Sequence, residues 1–221
     1  MICVSLAEPS LAACLQALKG ISLAEIRLDQ MSLRIDEVRT LFSSHPQLVA
    51  TCRPGPFDNE ERSALLSAAI RTGAAVVDLE IDSPANYRKK VIDVARTHGC
   101  RVMISYHNYE KTPNAQRLEN IISSCFAAGA DMVKIACMVR SDQDNARLLG
   151  LLDRDRPLVV IGMGDKGRIT RIVAPLLGSQ FTFASLSSGK ETAAGQMDRI
   201  TLETSMRELA RIAGLEGKIN D

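Results

Sequence analysis

The chain has 221 residues, 46% of them apolar and 24% charged, with a formal net charge of +1. That balance fits a soluble globular protein with one large core, and it gives no electrostatic footprint for nucleic acid or an anionic membrane. No apolar run approaches the roughly 20 residues of a spanning helix, and Met1-Ile2-Cys3-Val4-Ser5-Leu6 reads as a strand rather than as a signal peptide.

The pattern in chain order alternates short β-rich runs with amphipathic helices. Ile2 to Leu6 is a first strand, and Pro9-Ser10 opens a helix closed by Gly20. Ala24 to Asp29 is a second strand, followed by a helix carrying Leu33, Val38, Leu41 and Phe42 and ended by His45-Pro46. Leu48 to Cys52 is the third strand. Asp58 and Glu61 then have capping-box spacing at the start of a helix that runs to Gly73. Ala75 to Glu80 is the fourth strand, and Ser83-Pro84 gives a cap followed by proline at the first helical position.

Arg101 to Ser105 is the fifth strand, and Thr112-Pro113 repeats the cap-plus-proline signal. Met132 to Ala136 is the sixth, followed by a helix opened by Ser141-Asp142. Pro157 to Ile161 is the seventh. A glycine-rich turn from Gly162 to Gly167 leads to a helix ending near Leu177-Gly178. Phe181 to Ala184 is the eighth, and the last helix places Leu202, Met206, Leu209 and Ile212 on one face before Gly214. Eight βα units in order predict a parallel, closed (β/α)8 TIM barrel. Residues 1–214 form a single catalytic domain in this reading, and 215–221 a polar tail. The six cysteines are scattered without C-x-x-C pairs. They read as buried thiols in a reducing cytoplasm, not as a zinc site or a disulfide framework.

In this fold chemistry sits at the C-terminal ends of the strands. Glu25, Arg27 and Asp29 fall on one face of the second strand. Three charges there pair with one another or meet a polar ligand. Glu25 and Arg27 are site candidates, while for Asp29 both readings stand. Arg53 at the end of the third strand can clamp a hydroxyl or carboxylate, or lie solvated at the rim. Asp78 and Glu80 are either site carboxylates or partners that neutralise the arginines and the lysine, and the second reading is favoured. His107 lies at the catalytic rim just past the fifth strand.

Lys134 stands between Val133 and Ile135 and faces inward if those two face the helices. Desolvation and the cations Arg27 and Arg53 would then lower its pKa, so that a neutral amine attacks a ketone to form an imine. A buried ion pair to Asp78 or Glu80 is the alternative. Gly162-Met163-Gly164 can cradle a phosphate or simply allow a tight turn. Lys190 and Glu191 make the loop after the eighth strand polar, a candidate lid.

Taken together, five motifs resemble the type I 3-dehydroquinate dehydratases, the imine-forming dehydratases of the shikimate pathway of aromatic amino acid biosynthesis. They are Glu25-Ile26-Arg27-Leu28-Asp29, Ser105-Tyr106-His107-Asn108-Tyr109 with Thr112-Pro113, Lys134-Ile135-Ala136, Gly162-Met163-Gly164, and Thr192 to Gln196. The resemblance implies that Lys134 forms the imine with the C3 ketone of 3-dehydroquinate and that His107 is the general acid/base. It implies that Glu25, Arg27 and Arg53 hold substrate hydroxyls, and that Arg171 binds the carboxylate. Ser5, Thr192 and Gln196 would complete the pocket. It also implies a homodimer acting on a small molecule, with neither an organic cofactor nor a metal.

The sequence departs from that family at two points. A glutamate four residues after the third-strand arginine usually orients the histidine, and Pro54-Gly55-Pro56-Phe57 stands there instead. Glu60 and Glu61 are nearby substitutes, although Glu61 already reads as a helix cap. Threonine and alanine occupy positions 192 and 194, where serine and proline are usual. Two other functions remain open from the residues: a class I aldolase-type barrel on a sugar phosphate, and a non-catalytic quinate-binding barrel.

Overall fold

The computed structural model describes residues 1–218. Eight parallel strands form one sheet in the order β7-β6-β5-β4-β3-β2-β1-β8. They are β1 (Ile2–Leu6), β2 (Ala24–Arg27), β3 (Leu48–Thr51), β4 (Val76–Glu80), β5 (Arg101–Asn108), β6 (Met132–Met138), β7 (Leu158–Met163) and β8 (Thr182–Ser185). The helices between and after them are α1 (Leu11–Ala17), α2 (Ile35–Ser43), α3 (Asn59–Arg71), α4 (Ala85–Thr97), α5 (Ala115–Ala127), α6 (Asp142–Leu149), α7 (Arg168–Val173) and α8 (Arg199–Ala213). This is the expected (β/α)8 barrel. At the β7–β8 seam, the Gln180 N–H donates to the Leu158 carbonyl at 2.8 Å and the Val160 N–H to Ser179 Oγ at 3.2 Å.

Period-two alternation sorts the strand residues into two apolar layers. Val4, Ile26, Ala50, Val77, Ile104, Val133, Ile135 and Val160 face the helices and pack with Leu41, Leu66, Val91 and Leu118. Cys3, Val49, Val76, Met103, Met132, Val159 and Phe183 fill the barrel interior. Each such side chain contributes roughly 1.5–3 kcal/mol by leaving water. Because Val133 and Ile135 lie in the helix-facing layer, Lys134 between them is turned inward. All six cysteines are free and buried.

Several boundaries differ from the sequence reading. β2 stops at Arg27, and Asp29 sits on a 3-10 turn over Leu28–Gln30. β5 continues through His107 to Asn108, and β6 continues to Met138. Pro84 rather than Ser83 caps α4, and Asn114 caps α5 by accepting from the Arg117 N–H. Thr112 instead donates to the Met138 carbonyl at 2.8 Å. On α8 the buried stripe is Leu202, Met206 and Ala210, and Ile212 is exposed. The Asp58–Glu61 capping box and the Ser141 cap form as read. Of the expected tail, 219–221 lie outside the described residues.

Candidate active site

The inward positions one layer above the apolar interior are polar, and they converge at the C-terminal mouth. Lys134, Glu25, Arg27, Arg53, His107, Tyr109, Arg171, Thr192 and Gln196 line one pocket with Ala136, Ile161, Met163, Phe183 and Ala193. The empty volume, open mouth included, is about 600 Å³. Ser5 lies just beneath it, donating to Glu25 and accepting from Thr192 Oγ1 at 2.8 Å. All nine residues expected at the site are thus brought together, Ser5 through Glu25 and Thr192.

Lys134 is 6% exposed. Its Nζ stands 4.0 Å over the centre of the Phe183 ring, 3.5 Å from Asp78 Oδ2 and 4.0 Å from Glu25 Oε1. Carboxylates thus stand beside it, and the pair to Asp78 is the ion pair read from the sequence as the alternative to a cation-flanked amine. At these distances they act as ion-pair neighbours without tight hydrogen bonds.

Arg53 is built into this wall. Its guanidinium donates to Asp78 Oδ2 at 2.5 Å, to Glu80 Oε1 at 2.6 Å and to Ser105 Oγ at 2.8 Å. Burial opposes its charge, yet Asp78 and Glu80 outweigh burial and hold its pKa above the ordinary value. Burial likewise works against the Asp78 carboxylate, and Arg53, Lys134 and His107 together pull it down to about 2. Asp78 and Glu80 are thus the neutralising partners the sequence suggested.

The histidine's partner differs from what either the family pattern or the nearby acids suggest. Nδ1 of His107 lies 3.0 and 3.1 Å from the two carboxylate oxygens of Glu80. Glu60 instead pairs with Lys90 at 2.5 Å, and Glu61 caps the Asp58 N–H at 2.9 Å. Burial, followed by the charge of Arg53, holds the His107 pKa below its ordinary 6.5, with Glu80 opposing both. The pairing was legible in principle. Glu80 aligns with Ser105 across β4 and β5, and His107 is two residues further along the same face. Tyr109 and Phe183 were also missed: the first stacks on His107 with ring centroids 5.9 Å apart, and the second lies under the lysine.

On the opposite side, Arg27 is tied to Asp29 at 2.7 and 3.1 Å, which makes Asp29 its ion-pair partner. Glu25 accepts from Thr51 Oγ1 at 2.9 Å as well as from Ser5. Arg171 is 1% exposed. Among the described residues its guanidinium donates to the Phe183 carbonyl at 3.2 Å and the Ala194 carbonyl at 3.4 Å, and Nε has no partner there. Burial, with Arg168 adding to it, pulls its pKa down to about 10. A buried cation held by neutral carbonyls is the part of the site that an anionic group would complete.

The loop after β8 is docked over the mouth. The Thr192 carbonyl accepts from Arg27 at 3.3 Å, its N–H donates to Gln196 Oε1 at 2.7 Å, and Lys190 reaches Glu8 at 3.2 Å. Gly164 and Gly195 both have left-handed φ, and a Cβ on Gly195 would sit 2.4 Å from the Gly164 carbonyl oxygen. The glycines after β7 therefore serve close packing. A Cβ on Gly162 would meet Thr170, Val139 and Gly167 within 3.0 Å, which leaves no cradle for a phosphate at that point.

A parallel barrel with an amine nucleophile and a carboxylate-held histidine in one pocket has the constellation of an imine-forming barrel enzyme. The family model described as Type I 3-dehydroquinase matches residues 2–212. The chain belongs to that family. A 3-dehydroquinate dehydratase of Methanosarcina acetivorans is 34% identical over a 215-residue alignment that covers 89% of this chain and 89% of that one. The crystal structure of the 3-dehydroquinate dehydratase from Aquifex aeolicus superposes with a TM-score of 0.79 at 26% identity, covering 96% of this chain and 99% of that one. The type I enzyme from Clostridium difficile gives 0.84 at 24%, covering 96% and 92%.

Proposed function

We propose that the protein is a 3-dehydroquinate dehydratase, a hydro-lyase that converts 3-dehydroquinate to 3-dehydroshikimate through an imine on Lys134. The observation that carries the reading is the buried Lys134 amine at the pocket floor with a carboxylate-held histidine on the adjacent strand. Lys134 Nζ adds to the C3 carbonyl, and the carbinolamine loses one water to give the imine. His107 assists that loss and then takes the C2 proton, leaving the electron pair in the conjugated enamine. Return of the pair expels the C1 hydroxyl, which leaves as water with the proton from His107. A second water hydrolyses the product imine and frees Lys134, so the balance is one water lost from the substrate.

In this reading Arg171 takes the substrate carboxylate and Glu25, Arg27 and Arg53 take its hydroxyls. Ser5, Thr192 and Gln196 hold the lid. Residues 1–214 act as one catalytic domain. The six buried free thiols favour a reducing cytoplasm. The homodimer rests on the resemblance alone, and sedimentation measures it.

Borohydride reduction in the presence of 3-dehydroquinate, followed by peptide mass analysis, tests the chemistry. The expected product is a reduced adduct on Lys134. Lys134→Ala should trap nothing and turn nothing over, yet still bind the substrate. Full activity in that variant would sink the imine route. His107→Ala should still trap the adduct while dehydration falls by about 10²- to 10⁴-fold.

A further inference from the structure

The residues around His107 carry a second assignment, which rests on the imine-dehydratase reading above. We propose that Glu80 is the positioning residue of His107: its carboxylate fixes the imidazole tautomer and balances the imidazolium that forms during proton transfer.

A carboxylate only accepts hydrogen bonds, so Nδ1, within 3.1 Å of both Glu80 oxygens, must carry the proton. Nε2 is then the nitrogen left with a lone pair, and His107 lines the pocket. Glu80 cannot drift away, because Arg53 holds Oε1 at 2.6 Å and the side chain is 14% exposed. The parallel stack of Tyr109 limits the ring from the other direction. Among the described residues, no other acid is hydrogen-bonded to the ring. The turn between β3 and α3 is Pro54-Gly55-Pro56-Phe57, and the first glutamates of α3 are engaged elsewhere.

The charge balance makes the role specific. The groups facing or adjoining His107 are Arg53 from the end of β3, Asp78 and Glu80 from β4, Lys134 from β6 and Tyr109 beyond its own strand, with Arg27 and Arg171 across the pocket. Arg53 and Lys134 work against a second positive charge on the ring, and Glu80 is the carboxylate bonded to it. Removing the Glu80 charge should leave Arg53 in place, since Asp78 and Ser105 still hold it at 2.5 and 2.8 Å. The consequence falls on His107.

The test uses Glu80→Gln, Glu80→Asp and, as a control on an exposed acid, Glu60→Gln. In Glu80→Gln, kcat should drop on the order of 10²-fold, with KM within about threefold because Arg53 keeps two partners. Borohydride should still trap the Lys134 adduct. The acid limb of kcat/KM should move to lower pH, because the charge that favoured the imidazolium is gone. Glu80→Asp should return the limb toward the wild-type pH. Glu60→Gln should match the wild type.

Imidazole nitrogen NMR gives a readout independent of turnover, because the chain has only three histidines. His107 should be the Nδ1–H tautomer in the wild type and should titrate lower in Glu80→Gln. An unchanged titration and an unchanged acid limb would overturn the proposal. So would a loss confined to KM, which would assign Glu80 to Arg53 and substrate binding. A wild type that traps no adduct would remove the dehydratase reading, while the NMR titration would still decide the Glu80–His107 coupling.

Discussion

On the β3–β6 side of the mouth Asp78 and Glu80 face cations, whereas across the pocket the Arg171 guanidinium is met by two carbonyl oxygens. The first side is a continuous chain: Lys134 to Asp78, Asp78 to Arg53, Arg53 to Glu80, Glu80 to His107. Every link in it is a protein group, a preorganised arrangement that suits groups handling protons. The second side holds a charge that burial penalises and that no carboxylate among the described residues is seen to neutralise. In the reading proposed above, the contrast sets a neutralised wall that includes the proton-handling groups apart from the cation that takes the substrate carboxylate.

The contrast breaks most visibly if Arg53 is removed. Arg53→Met should leave Asp78 and Glu80 without their shared partner, at a cost of about 3–5 kcal/mol. For a chain of this size that lowers Tm by roughly 6–20 °C, read by calorimetry without substrate. A Tm unchanged from the wild type would mean the wall is not held by charge pairing. Arg171→Met is the opposite case. It removes an uncompensated buried cation, so Tm should hold or rise. KM for 3-dehydroquinate should increase by roughly 30- to 160-fold, the equivalent of about 2–3 kcal/mol for a lost charge pair. If Arg171→Met melts as low as Arg53→Met, the two sides are not different in kind.

The acid dependence of stability sharpens the first side further. The Asp78 pKa is held at about 2 against an ordinary 3.8, so its folded value is depressed. Its contribution is full above about pH 4 and is lost as pH falls toward 2, amounting to about 2 kcal/mol. Urea unfolding across that window should be steeper in pH for the wild type than for Asp78→Asn. Parallel curves would show that Asp78 titrates alike in the folded and unfolded chain.

The barrel was legible because each strand alternates an inward and an outward residue and each helix carries its own stripe. Polar mouth residues confuse that signal. β5 was expected to stop at Ser105, where the apolar run ends. The backbone ladder is indifferent to side-chain polarity, and it carries His107 and Asn108 into register with Ala136 and Cys137. Caps shifted for a related reason: Ser83 and Thr112 have cap chemistry, but α4 begins after Pro84 and α5 after Asn114. At the site, residue types identified Lys134 and His107, yet not which acid serves which base. Glu80 was legible only as a neutralising acid, since its second bond depends on a register between two strands. An acid beside Lys134 was legible as one of two alternatives; that Asp78 and Glu25 are the ones there is set by the stagger of the barrel, not by sequence distance.

The smallest effect belongs to the loop after β8, which joins the two sides. Thr192 donates through Oγ1 to Ser5 at 2.8 Å and offers its carbonyl to Arg27 at 3.3 Å. Thr192→Val keeps the shape and the carbonyl contact and removes only the hydroxyl. Ser5 still donates to Glu25, so no charged group loses its partner. The lost bond is worth about 0.5–1.5 kcal/mol, which should appear as a roughly 2- to 12-fold rise in KM. The trapped adduct on Lys134 and the acid limb of kcat/KM should stay where they are, because neither Lys134 nor His107 bonds to Thr192. A shift of the acid limb in Thr192→Val would place the lid within the proton-handling chain, and the division between the two sides of the mouth would fail there.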